Sequence, residues 1–197
     1  MYSASAILKG SLYLFGGWDP GAKGSGGTFL DDVWKLDLDT MKWEQRDPMP
    51  CGPVSRHTAC TVGKSIIIHT FRGVMEYCDG KLMEKKTAGD EPQGLSMCAT
   101  APLGDKAMLL FGGSTKTQSL SDAVYILDTR GWVWTKLVAT NDGPLPLASA
   151  CGAPLDESRC IIFGGAAISP DGYQSGAGLV AQDDTWLLTV KKDSVEW

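Results

Sequence analysis

Little in this chain of 197 residues is suited to chemistry. It has two histidines, no Cys-x-x-Cys pair and no Gly-x-x-x-x-Gly-Lys loop. Zinc therefore has no support from ligand spacing. The glycine-rich stretch Gly24-Ser25-Gly26-Gly27 lacks the strand-to-helix setting that a phosphate-binding loop needs. Lysine and arginine number 18 against 23 aspartates and glutamates, and no segment concentrates the basic ones. A net charge of −5 without a basic patch argues against a nucleic-acid partner. No apolar run approaches the ~20 residues of a membrane span. Residues 1–8 lack a basic start and a full apolar core, so they read as a strand and not as a signal peptide. With no export signal and no evident disulfide framework, the expected setting is cytoplasmic, with the nucleus as the second choice.

What is present repeats. Phe15-Gly16-Gly17 ends an apolar run and is followed by a polar, glycine-rich stretch, then Val33-Trp34-Lys35-Leu36-Asp37, then Trp43. Phe111-Gly112-Gly113 leads in the same way to Tyr125 and Trp134, and Phe163-Gly164-Gly165 to Trp186 and Trp197. Phe71-Arg72-Gly73 reads as a degraded copy, so that successive phenylalanines lie 56, 40 and 52 residues apart. A self-similar period of about 50 residues indicates one supersecondary unit per repeat. With these motifs the chain resembles the kelch-repeat family, in the style of its Rab-effector and acyl-CoA-binding-associated members.

The resemblance implies an all-β, kelch-type β-propeller: four four-stranded antiparallel blades at about 1–47, 48–88, 89–140 and 141–197, spanning residues 1–197. Kelch rings usually hold more blades than four, so the chain is expected to be a segment of a larger ring. The structural residues are Gly16, Gly17, Gly112, Gly113, Gly164 and Gly165 at the strand ends, with Trp34, Tyr125 and Trp186 on third strands. Trp43, Trp134 and Trp197 stand on fourth strands, where they should fill the gap between blades. Blade two is the least regular, with either Met75 or Tyr77 in the aromatic position. Aligning Ser5, Cys60, Cys98 and Cys151 in one first-strand column suggests that these cysteines serve packing.

Antiparallel strands place the second-to-third-strand loops and the inter-blade linkers on one side, and the short turns on the other. Counted from the second glycine to the aromatic, those loops run 17, 12 and 21 residues in blades one, three and four. Variable length belongs to a binding face. The candidate contacts there are Trp18, Arg56, Lys116, Gln118, Asp171, Tyr173 and Gln174. Trp18 directly follows a glycine pair, and Arg56 opens the first strand of blade two. The alternative for Trp18 is that it folds back over its own blade.

No catalytic constellation is identifiable. His57 stands where the resemblance implies a packing histidine, and His69 lies beside three isoleucines. The carboxylates of Asp31-Asp32 and of Asp183-Asp184, as neighbours in a strand, point to opposite faces and make poor acid–base pairs. The expectation is a non-catalytic protein–protein interaction scaffold with no cofactor, no metal and no membrane insertion. The alternative is that the chain is the propeller portion of a larger enzyme whose catalytic domain lies elsewhere.

Overall fold

A computed structural model describes residues 1–21, 26–117, 119–169 and 178–197. Its described residues form strands without any helix, and hence no helix long and apolar enough to cross a membrane. They separate into two compact units, Met1–Thr87 and Ala88–Trp197.

The first unit holds two four-stranded antiparallel sheets. One comprises β1 (Ala4–Leu8), β2 (Ser11–Asp19), β3 (Thr28–Asp37) and β4 (Lys42–Arg46), in that order. The other comprises β5 (Thr58–Val62), β6 (Ser65–Thr70), β7 (Gly73–Cys78) and β8 (Lys81–Lys85). Between them lies a core of Leu8, Tyr13, Phe15, Val33, Met49, Val54, Ile66, Ile68, Met75 and Tyr77. β6 is buried at every position. A strand covered on both faces loses the apolar–polar alternation of a half-exposed one, hence Ile66-Ile67-Ile68.

The second unit contains β10 (Ala99–Leu103), β11 (Ala107–Phe111), β12 (Val124–Asp128) and β13 (Val133–Ala139) in one blade. The other blade contains β14 (Cys151–Pro154), β15 (Arg159–Phe163), β18 (Thr185–Val190) and β19 (Ser194–Glu196). Within the long loop of this last blade, β16 (Ala166–Ile168) and β17 (Leu179–Ala181) form a separate hairpin. The two blades are not separate sheets. β13 runs parallel to β19 through Val138↔Ser194 and Ala139↔Val195, and β9 (Ala88–Gly89) adds to β13 in the same parallel sense.

Strand register corrects three parts of the repeat alignment. Phe15, Phe111 and Phe163 pair with Ala4, Ala99 and Cys151, whereas in blade two the residue in that position is His69, paired with Thr58. The degraded copy is thus His69-Thr70-Phe71; Phe71-Arg72 is a two-residue turn closed by Thr70↔Gly73. Ser5, Cys60, Cys98 and Cys151 consequently do not share a column, because Ala4, Thr58, Ala99 and Cys151 do. The aromatic position of blade two is taken by Met75, which pairs with Ile68 as Trp34 pairs with Leu14.

The glycine pair is explained by the approach of the next blade. A Cβ on Gly112 would fall 2.5 Å from Leu147 O, and Gly113 N donates to that same carbonyl at 2.7 Å. Both glycines have positive φ, 69° and 99°. Gly16 and Gly17 repeat the arrangement on Val54 O. Left-handed backbone and close approach together demand glycine. Gly112→Ala is expected to destabilise the chain by about 2–3 kcal/mol. Urea unfolding should show this as a lower midpoint, and an unchanged midpoint would mean that the two blades are not tied here.

Candidate functional site: an arginine–tyrosine–tryptophan group in the first unit

Each blade enters its first strand through a residue in the left-handed region: Tyr2 (φ 56°), Arg56 (59°), Met97 (57°) and Ser149 (59°). This position precedes the first strand by two residues in all four blades. Successive entries are tied by backbone bonds within each unit. Arg56 N donates to Tyr2 O at 3.1 Å, and Ser149 N donates to Met97 O at 2.7 Å. A non-glycine residue with positive φ costs free energy and persists only where its surroundings hold it. Here the ties between blades do so.

In the first unit this geometry gathers two of the residues singled out from the sequence. The Arg56 guanidinium lies over the Tyr2 ring at 5.7 Å, and the Trp18 ring lies tilted to Tyr2 with ring centroids 6.4 Å apart. Arg56 and Tyr2 are exposed, and Trp18 is half-buried. Phe29, 58% exposed, stands opposite Trp18 across the β2–β3 pair. Stacking on aromatic carbon leaves the donors of the guanidinium fork free for an external carboxylate or carbonyl.

Trp18 is not in a loop. β2 and β3 continue past a bulge at Gly16 through Gly17↔Leu30, Trp18↔Phe29 and Asp19↔Thr28. The indole Nε1 donates to Gly26 O at 3.1 Å, so the ring folds back over its own hairpin while one side still meets Tyr2. The chain's amino terminus holds the tryptophan from below: Met1 N donates to Trp18 O at 2.7 Å, and Trp18 N to Met1 O at 2.6 Å.

Tyr2 was not among the residues proposed from sequence. Aligning the blade entries by the position of Arg56 would have found it. Lys116 is exposed in the second unit, within a turn closed by Thr115 N donating to Ser119 O. Gln118, Asp171, Tyr173 and Gln174 lie outside the described residues.

The fourth-strand tryptophans differ from the expectation of a uniform filling role. Trp134 is 2% exposed, Trp197 partly buried against Phe111 and Trp186, and Trp43 is 49% exposed. Trp34 donates from Nε1 to Asp32 Oδ2 at 2.6 Å, which gives that aspartate an orienting role. Tyr125 and Trp134 meet edge to face at 6.4 Å.

Titratable groups inside the fold are tuned away from reactivity. Desolvation pushes Cys98 and Cys160 up to about 12. These thiols remain protonated near neutral pH and behave as small apolar groups. All six cysteines are free. Burial also lowers His57 and His69 to about 4. His57 Nε2 lies 2.8 Å from Phe15 O, an acceptor, so this nitrogen carries the ring proton.

Residues 1–50 match the Kelch motif. Acyl-CoA-binding domain-containing protein 5 of Arabidopsis thaliana is 28% identical over 82% of this chain and 18% of its own length. Acyl-CoA-binding domain-containing protein 4 of the same plant is 29% identical over 71% of this chain and 21% of its own. The chain thus spans about a fifth of the length of these curated relatives. Among solved structures, that of YjhT matches with a TM-score of 0.73 and 18% identity, over 98% of this chain and 69% of that one. At this identity the match shows the fold: a β-propeller built of four-stranded blades.

Proposed function

We infer that this chain, which belongs to the kelch-repeat family of β-propellers, is a non-catalytic module that binds a protein partner through its second-to-third-strand loops and inter-blade linkers. Kelch repeats serve generally as protein-interaction modules. On this chain the Arg56–Tyr2–Trp18 group forms the centre of the contact surface. An exposed guanidinium stacked on an exposed tyrosine, with a tryptophan alongside, has the composition of an interface anchor. The left-handed backbone fixes where the arginine leaves the chain, and the Tyr2 ring supports its guanidinium. Side-chain freedom already restricted in this way is not lost again when a partner binds.

The chemistry of the group suits a carboxylate-bearing or aromatic side chain of the partner.

The test is affinity capture of partners from cell extract with the unaltered chain, Arg56→Ala and Tyr2→Ala. Both side chains are exposed, so folding should be preserved, and circular dichroism would check it. Recovery is expected to fall about tenfold or more in each variant, the loss typical of a hot-spot side chain. Undiminished recovery by both variants would remove this group as the binding surface.

A further inference from the structure

The outer strands of the second unit are covered by the chain's own linkers. Ala88 N donates to Trp132 O at 3.0 Å and Asp90 N to Trp134 O at 3.0 Å, so the incoming linker lies parallel along β13. On the next blade Thr140 N donates to Val195 O at 2.9 Å, with Val138 and Ala139 paired to Ser194 and Val195. Asn141 then finishes the edge. Its Nδ2 donates to Trp197 O at 2.8 Å, and its Oδ1 accepts from Trp197 N at 2.9 Å. Each of these segments is short and small: Thr87-Ala88-Gly89-Asp90 and Val138-Ala139-Thr140-Asn141. Close packing requires this, since a Cβ on Gly89 would fall 2.2 Å from Trp134 O.

Blade two breaks the pattern. Ala88 stands six residues after Leu82 and Thr140 six after Trp134; the matching residue ahead of blade two is Met49, six after Trp43. Met49 N instead donates to Asp31 O at 2.7 Å, and its side chain enters the core at 2% exposure. Pro48 and Pro50 on either side fix φ near −65° and supply no N–H, so the linker turns inward and does not pair. β8 is left as the terminal strand of its sheet. Between it and the linker runs a groove of about 260 Å³ lined by Pro48, Pro50, Tyr77, Leu82 and Met83. By the register of β13, where Trp134 O faces outward, the outward groups of β8 are those of Leu82 and Glu84. Among the described residues, no backbone group bonds these two from the outer side.

We propose that the open edge of β8 accepts an extended segment of a partner protein, running parallel to it, made of small residues ending in Asn or Asp. The segment takes the place that the chain's own linkers take on β13 and β19. Its N–H groups donate to the outward carbonyls of β8, and its Asn or Asp side chain caps the next backbone group as Asn141 caps Trp197. Main-chain bonds supply affinity, while the groove beside Leu82 and Met83 receives the segment's side chains. This surface is separate from the Arg56 group and does not depend on it.

The test is residue-level amide exchange by NMR on the full chain, alone and with the synthetic peptide acetyl-Val-Ala-Thr-Asn-amide at millimolar concentration. Alone, the Leu82 and Glu84 amides should exchange at least tenfold faster than those of Ala88 and Asp90. The peptide should slow them at least fivefold. A control peptide with proline in place of threonine lacks the N–H that Thr140 supplies and should leave them unchanged. Equal protection in the free chain would overturn the proposal, as would no slowing by the peptide or equal slowing by both peptides. Slowing that grows with protein concentration in the absence of peptide would also overturn it, by showing that a second copy occupies the edge.

Discussion

Acidification from pH 7 to pH 4 is expected to destabilise the first unit, Met1–Thr87, by on the order of 3 kcal/mol for each of its two buried histidines. Both have their pKa lowered from 6.5 to about 4, chiefly by desolvation. Below 6.5 the unfolded chain takes up protons that the folded chain refuses until about pH 4. The stabilising contribution is therefore complete above 6.5 and is lost progressively as pH falls through this window. The attribution is clean because these are the only two histidines in the sequence. Asp37 and Asp156 are also lowered, by hydrogen bonds from Thr40 and Ser158 respectively, but they titrate at more acid pH. Urea unfolding at pH 7, 5.5 and 4 would measure the loss. His69→Phe places in blade two the residue that its three sister blades carry, and should remove about half of the pH dependence. A stability that stays flat from pH 7 to pH 5 in the unaltered chain would contradict the buried, neutral state of both rings.

The second large effect separates two tryptophans that look alike in sequence. Trp134→Ala is expected to cost about 3–5 kcal/mol, the range for emptying a buried aromatic site. The indole is 2% exposed and packs edge to face on Tyr125. Trp43→Ala occupies the same repeat position yet should cost under about 1 kcal/mol, because Trp43 is 49% exposed. Thermal unfolding of both variants would show a large fall in midpoint for the first and a small one for the second. Equal effects would mean that Trp43 is covered in solution by something else.

The strands were readable because each blade repeats a local pattern. An apolar run, a glycine pair, an aromatic third strand and a fourth-strand tryptophan recur with enough regularity to position β2, β3, β11, β12, β15 and β18. Blade two departs from the motif by two residues, because Phe71 carries the letter that the repeat leads one to seek. The register there is set by strand pairing, which gives the position to His69 and leaves Phe71 in a turn. The glycines around Trp18 suggest a loop. Cross-strand pairing with Phe29 carries β2 further than composition suggests. Nothing local marks Tyr2; its meaning comes from the left-handed backbone it shares with Arg56, fifty-four residues away.

By itself the sequence determined the repeat and the antiparallel blade. Both follow from short-range periodicity and from glycine at strand ends. Only the tertiary structure decided which tryptophans are buried, which side chains stack on Tyr2, and which strand edges the linkers cover. Those outcomes depend on neighbours far apart in the chain. Phe15-Gly16-Gly17 states that a strand ends there; that its glycines make room for the carbonyl of Val54 is settled only when the second blade packs against the first.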